Sequence, residues 1–242
     1  DEGLAVVAYA PSSVSTNLRD TAVRAELETE YPFRDTLRLT IATERAVEFP
    51  LLLRIPGWAE GATVRVGDGE PVPAECGTFH RVDQEWQGTT VVELTLPMKP
   101  EVLRGTNDTV AIERGPLVYA LKMGEEWRRI HEDQPYRELP HADWEIYATT
   151  PWNYALDVDE ETLGTDVTFS EAPVGECPFS PDGAPVVAKV KGRRLPGWTV
   201  VNGSAGDAPQ SPVVSDEPGE ELTLIPYGCT NLRVTEFPKL KR

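Results

Sequence analysis

The side chains with the most chemistry to offer are forty acids, three cysteines, three histidines and six tryptophans. Glycoside hydrolysis needs two carboxyl groups set across a sugar ring. With so many acids, adjacency in sequence singles out no such pair: Glu125-Glu126, Asp159-Glu160-Glu161 and Glu220-Glu221 read as exposed turns. Cys76, Cys177 and Cys229 are widely spaced, and no CxxC or CxH pattern joins them, so no structural zinc site is expected. They read as isolated thiols, with one disulfide plus a free thiol as the alternative. Asp157, Asp159 and Glu161 alternate as calcium ligands do, but Thr162 and Thr168 stand where an EF-hand loop has its Gly and its closing Glu. His80, His131 and His141 show no HExxH spacing and have no GxSxG partner serine, and read as surface or core histidines. Trp152 and Tyr154 share parity in an extended stretch, so they are the candidate aromatic platform for a sugar. The competing reading puts them in a sandwich core or a seam between domains. Trp58 and Trp86 sit beside strand ends and read as core. No residue is assigned a catalytic, cofactor-binding or metal-binding role.

The elements that would position these groups are strands. Val23, Ala25 and Leu27 alternate with polar residues, as do Leu37, Leu39 and Ile41, then Phe49, Leu51, Leu53 and Ile55, then Val92, Leu94 and Leu96. Each run has one apolar and one mostly polar side, the pattern of antiparallel sheets wet on one face. Asp68-Gly69 predicts a type I′ hairpin between 63–66 and 70–72, and Pro181-Asp182-Gly183 and Asn202-Gly203 mark further turns. The 22 prolines fall mainly at run edges, as at Pro50, Pro56, Pro97 and Pro116, which supports short strands over helices. The best helix candidate is 125–139, cut short by Pro135. The texture changes near Lys122, and 202–221, rich in Gly, Pro, Ser and acid, reads as a mobile surface loop. The fold class is therefore all-β, a sandwich or jelly roll.

A chain of 242 residues can bury a real core. Its formal net charge of -17 repels phosphate backbones and anionic bilayers, which argues against nucleic-acid and membrane partners. The opening Asp1-Glu2-Gly3-Leu4 has no initiator Met and no signal-like segment, and reads as a cut inside a longer chain, so the compartment is not legible from it.

Several segments together resemble one family. They are Leu53-Arg54-Ile55-Pro56-Gly57-Trp58-Ala59, then Glu85-Trp86, Leu94-Thr95-Leu96-Pro97-Met98 and Val110-Ala111-Ile112-Glu113-Arg114-Gly115-Pro116-Leu117-Val118-Tyr119. Pro151-Trp152-Asn153-Tyr154-Ala155-Leu156 and Ile225-Pro226-Tyr227-Gly228-Cys229-Thr230-Asn231-Leu232-Arg233 follow. In this order they resemble the C-terminal half of the β-L-arabinofuranosidase-like glycoside hydrolases (family 127, DUF1680-like). The resemblance implies an N-terminal (α/α)6 barrel upstream that holds the active site: a cysteine nucleophile, a glutamate and a zinc whose ligands include an adjacent Cys-Cys pair. This sequence has no such pair, so no catalytic residue carries over. What the resemblance implies here is two β-sandwich units, 1–121 plus 222–242 and 122–221, the second inserted in the first. Their role is accessory: packing on the barrel, supporting it, and helping shape its carbohydrate cleft or a homodimer contact. An autonomous carbohydrate-binding module is the alternative, and a self-contained hydrolase a third reading that no motif supports.

Overall fold

The computed structural model describes residues 3–242 and is nearly all β, with antiparallel sheets as the alternation predicts. No helix among the described residues is long and apolar enough to cross a membrane. The chain divides into two compact units, Asp1–Lys99 and Pro100–Arg242.

The first unit is one seven-stranded sheet built from β1 (Leu4–Val6), β2 (Ser12–Leu18), β3 (Thr21–Thr29), β4 (Thr36–Arg54), β5 (Thr63–Val66), β6 (Val72–Pro73) and β7 (Phe79–Thr95). The order is β2-β3-β4-β7-β5-β6, with β1 parallel on β4. The two apolar runs at 37–41 and 49–55 are not separate strands. Both lie on β4, nineteen residues long, with no breaker between them. The ladder with β7 passes from Thr43↔Gly88 to Val47↔Trp86, so β4 carries two extra residues at a bulge. An even insertion preserves parity. Leu37, Leu39 and Ile41 before the bulge, and Val47, Phe49, Leu51 and Leu53 after it, all point into the same core with Val23, Ala25, Leu27, Val92, Leu94 and Leu96. Trp86 closes that core at 1% exposure. Its ring stacks on Phe49 at 5.4 Å and 22°, and its indole N–H donates to the Phe49 carbonyl at 2.9 Å. Trp58 packs partly buried against the same cluster. Pro50 lies inside β4 opposite Asp83 rather than at a strand edge; the parallel ladder with β1 starts one residue later, at Leu51.

Residues 63–73 form the predicted hairpin, with Val64 opposite Val72. The positive φ sits at Gly67 (55°), not at Asp68, and the turn closes by Gly69 N–H to the Val66 carbonyl at 3.0 Å. The type I′ geometry appears instead at Asn202-Gly203, with φ of 53° and 81°.

The second unit contains β8 (Pro100–Arg104), β9 (Val110–Arg114), β10 (Leu117–Leu121), β11 (Glu125–Ile130), β12 (Asp143–Ala148), β13 (Tyr154–Leu156), the one-turn helix α1 (Leu163–Asp166), β14 (Val167–Glu171), β15 (Val186–Arg194), β16 (Val200–Val201), β17 (Ser204–Ala205) and β18 (Gly219–Pro226). Its main sheet runs β13-β15-β18-β10-β9-β8, with β14 also on β15; β11-β12 and β16-β17 are separate hairpins. This corrects the division into 1–121 plus 222–242 and 122–221. β18 does return to the segment before Lys122, pairing Tyr119↔Pro226, but β8, β9 and β10 belong with β13–β15. The texture change near Lys122 marks the departure of the β11-β12 hairpin from one sheet, not a domain boundary.

Two further expectations are corrected. The segment 125–139 begins as strand β11, paired with β12 from Glu125↔Ala148 to Ile130↔Asp143; cross-strand partners rich in Trp, Ile and Tyr override its helical composition. The 202–221 segment is tied down: Ser211 N–H bonds Asn107 O at 2.9 Å, Val213 N–H bonds Lys239 O at 2.8 Å, and Arg193 Nη1 bonds Glu217 O at 2.7 Å.

Two outcomes follow for stability. Trp86→Ala is expected to cost about 3–5 kcal/mol in denaturant unfolding of the first unit, since it removes a large ring and orphans a buried carbonyl. Deleting 222–242 removes the last five residues of β18 and the C-terminal segment that bonds Val110, Leu121 and Leu156. Amide exchange should then lose protection in β10, β13 and β15; slow exchange persisting in β15 would refute this.

Candidate functional site

A cleft of about 890 Å³ lies in the second unit. The exit of β10, the start of β18, the approach to β13 and the turn after Ser180 form its walls. The β11-β12 hairpin is rooted at its rim, where Thr149 N–H bonds Gly124 O and Gly124 N–H bonds Thr150 Oγ1, both at 2.9 Å. Tyr154, 5% exposed, is placed by β13 opposite Arg194 and donates its hydroxyl to Glu220 Oε2 at 3.1 Å. Burial first, and the Glu220 bond second, raise the Tyr154 hydroxyl above the usual tyrosine range, so it acts as a neutral donor. Lys122 Nζ reaches Asp182 at 3.0 Å. Glu125 Oε2 accepts from Trp127 Nε1 at 3.0 Å and from Asn231 Nδ2 at 2.9 Å, fixing the indole of Trp127 at the rim with 48% of its surface open. The charges are four carboxylates (Glu125, Asp182, Glu220, Glu221) against Lys122. Ser180 is occupied: it donates to Cys177 O at 2.8 Å and accepts from Gly183 N–H. The arrangement offers hydrogen bonds and an aromatic face, with no nucleophile–base pair among the groups that line it.

The structure separates most of the residues singled out from sequence. Trp152 and Tyr154 do not form a platform. Trp152 meets Trp198 edge-on at 5.0 Å and packs with Leu195 and Leu240, while the Tyr154 ring is buried. All three cysteines are free: Cys76 and Cys177 exposed, Cys229 buried with Sγ on Pro178 O at 3.2 Å. Burial pushes the Cys229 thiol up to about 11. Among the described residues no three His, Cys, Asp or Glu side chains converge, so the residues present do not fit a zinc site. The acids at 157–161 have separate partners within the chain: Arg242 Nε bonds Asp157 Oδ1 at 2.9 Å, Asp159 Oδ1 caps the Glu161 N–H at 3.0 Å, and Glu160 pairs with Arg104. His131 pairs with Asp143 at 2.9 Å, and His80 lies on β7 of the other unit. Glu125-Glu126 and Glu220-Glu221 lie on strands β11 and β18 rather than in turns. The sequence reading singled out neither Trp127, which fell in the segment read as helix at 125–139, nor Trp144; period-2 alternation of Glu125, Trp127 and Arg129 was the available signal.

Residues 3–98 match the family model for the middle domain of GH127 beta-L-arabinofuranosidases. That span is nearly the whole first unit, and the matched domain is a middle one, where the sequence resemblance pointed to the C-terminal half. The whole chain is similar in structure to the GH127 beta-L-arabinofuranosidase Ara127N of Geobacillus stearothermophilus T6, with a TM-score of 0.62 and 25% identity, covering 34% of that protein. A glycoside hydrolase at 22% identity and a GH127 beta-arabinofuranosidase at 20% share the fold, each with a TM-score of 0.62 over 98% of this chain. The chain spans about a third of the length of these proteins, 34–36%. No curated protein matches it.

The buried hydroxyl and thiol groups set an alkaline limit. Tyr119 is pushed up to about 12 by burial, and Tyr9 is raised for the same reason. For each, the folded state holds its proton at pH values where the unfolded chain has released it. Their stabilisation is therefore complete below the unfolded values, 9.0 for the thiol and 10.0 for tyrosine, and declines as pH rises through 11 and 12. Thermal melts should fall progressively above about pH 9. At neutral pH, a thiol reagent should label Cys76 and Cys177 quickly and Cys229 only after unfolding; three equal rates would contradict the burial of Cys229.

Proposed function

We propose that this chain is a non-catalytic, accessory β-sandwich portion of a GH127-like glycoside hydrolase, packing on and supporting an N-terminal (α/α)6 catalytic barrel. The observation that carries it is the match of residues 3–98 to the GH127 middle domain. The likeness of the whole chain to about a third of a beta-L-arabinofuranosidase supports it. On this reading the parent acts on a carbohydrate, and any zinc belongs to the barrel. The homodimer contact stays part of the proposal. The chemistry of the chain's own residues agrees. A cysteine nucleophile needs an exposed, activated thiolate. Cys229 is buried and held protonated, and Cys76 and Cys177 stand apart from any cluster of metal-ligating side chains.

The test compares this chain with the full-length parent on nitrophenyl glycosides, including the β-L-arabinofuranoside. Turnover by the parent alone is the expected result. Turnover by this chain that survives repurification and vanishes on replacing Cys76, Cys177 or Cys229 would overturn the accessory role.

A further inference from the structure

We propose that the cleft of the second unit binds a neutral oligosaccharide, with Trp127 as its stacking platform. A sugar ring presents an apolar C–H face inside a rim of hydroxyls. A site for it needs a rigid aromatic surface beside hydrogen-bonding groups, in a concavity of a few hundred Å³. Each requirement is met by a separate feature. The cleft measures about 890 Å³. Trp127 stands at its rim half-exposed yet immobilised: its N–H is held by Glu125, Glu125 is anchored by Asn231 from the far end of the chain, and Trp144 meets the ring at 6.1 Å and 74°. Holding an exposed indole in place removes ordering cost from ligand binding. Because the two tryptophans are edge-to-face, they do not make a flat two-ring strip. Trp144 buttresses, and only Trp127 lines the cleft.

Inside the cleft, Glu220 uses Oε2 for Tyr154, leaving its other oxygen for a hydroxyl, and Lys122 and Asn231 supply donors. The charge selects among carbohydrates: four carboxylates against one lysine repel uronates. The site stands on this cleft's own geometry and needs no upstream domain; the accessory reading guides only the choice of probe.

The test is calorimetric titration of the 242-residue chain with neutral arabino- and xylo-oligosaccharides, an oligogalacturonate and a glucosamine oligomer. Binding of a neutral oligosaccharide is expected, with a change in tryptophan fluorescence and with no binding of oligogalacturonate. Trp127→Ala should weaken it about tenfold or more and Trp127→Phe less, while Trp152→Phe, in a different cluster, leaves it unchanged. Failure of every neutral sugar to bind, binding of the glucosamine oligomer alone, or an unchanged affinity in Trp127→Ala would overturn the proposal. Should Trp127→Ala fail to fold by its melting curve, Glu220→Gln decides: weaker binding supports the site and unchanged binding refutes it. These outcomes are separate from parent hydrolysis, so a parent that cleaves glycosides while this chain binds none sinks the cleft proposal and spares the accessory one.

Discussion

The first unit hangs on the ladder between β4 and β7, from Thr36↔Thr95 to Arg54↔Phe79. These two strands are long enough to serve both ends of the sheet: β3 and β5 pair with the half before the bulge, and β1 with the half after it. A bulge of one residue would have turned the second half of β4 inside out, sending Phe49, Leu51 and Leu53 to solvent. The two-residue bulge keeps them on the core side while Glu44, Arg45 and Ala46 stay exposed. Trp86 sits at the ladder's first pair beyond the bulge, where its stacking and its N–H bond to Phe49 O fix the register that the bulge could otherwise let slip.

The second unit solves the same problem differently. Its strands are short, and the termini of the sheet are joined by the last ten residues running across it. Phe237 exchanges both backbone bonds with Val110, Leu240 bonds Leu156, and Val213 is caught between Lys239 and Lys241. The side chain of Arg242 finishes the segment by bonding Asp157 and Asp166, at 2.9 and 2.7 Å. Asp166 sits below its ordinary range, despite its burial, because Thr162, the Asp159 N–H and Arg242 all favour its charged form. Asp157, one of the acids that look like calcium ligands in sequence, is thus paired with a cation 85 positions away.

The apolar strand faces were legible in sequence because a half-buried strand leaves an unambiguous period. Val23, Ala25, Leu27, Val92, Leu94 and Leu96 are all buried where alternation put them. What escaped was whatever depends on a distant partner. β11 reads as a charged helix until β12 is set beside it. The unity of β4 depends on β7 bridging a bulge whose glycine, Gly88 at φ 67°, lies on the partner strand and not on β4 itself. Trp152 and Tyr154 share parity only if Asn153 is extended within a strand. Instead Trp152 precedes β13, and Asn153 spends its side-chain amide on the carbonyls of Leu195 and Trp198, at 2.8 and 2.9 Å. Parity therefore has no meaning across that pair, and the two rings part.

The separation of Trp152 from Tyr154 also decides which aromatic can work at a surface. Trp198 spends its N–H on Gly206 O at 2.8 Å and closes the small cluster that takes Trp152, so both rings serve packing. Trp127 differs in where its partners lie. Its N–H goes to a carboxylate at the rim of a cleft and a second surface ring, Trp144, meets it at 74°, and nearly half its surface stays open. A ring ordered by polar anchors rather than by burial keeps its apolar area available while its entropy is already lost. Among the described residues no third strand covers this two-stranded hairpin, so that combination adds little to folding, and this is the physical ground on which the sugar-binding proposal rests.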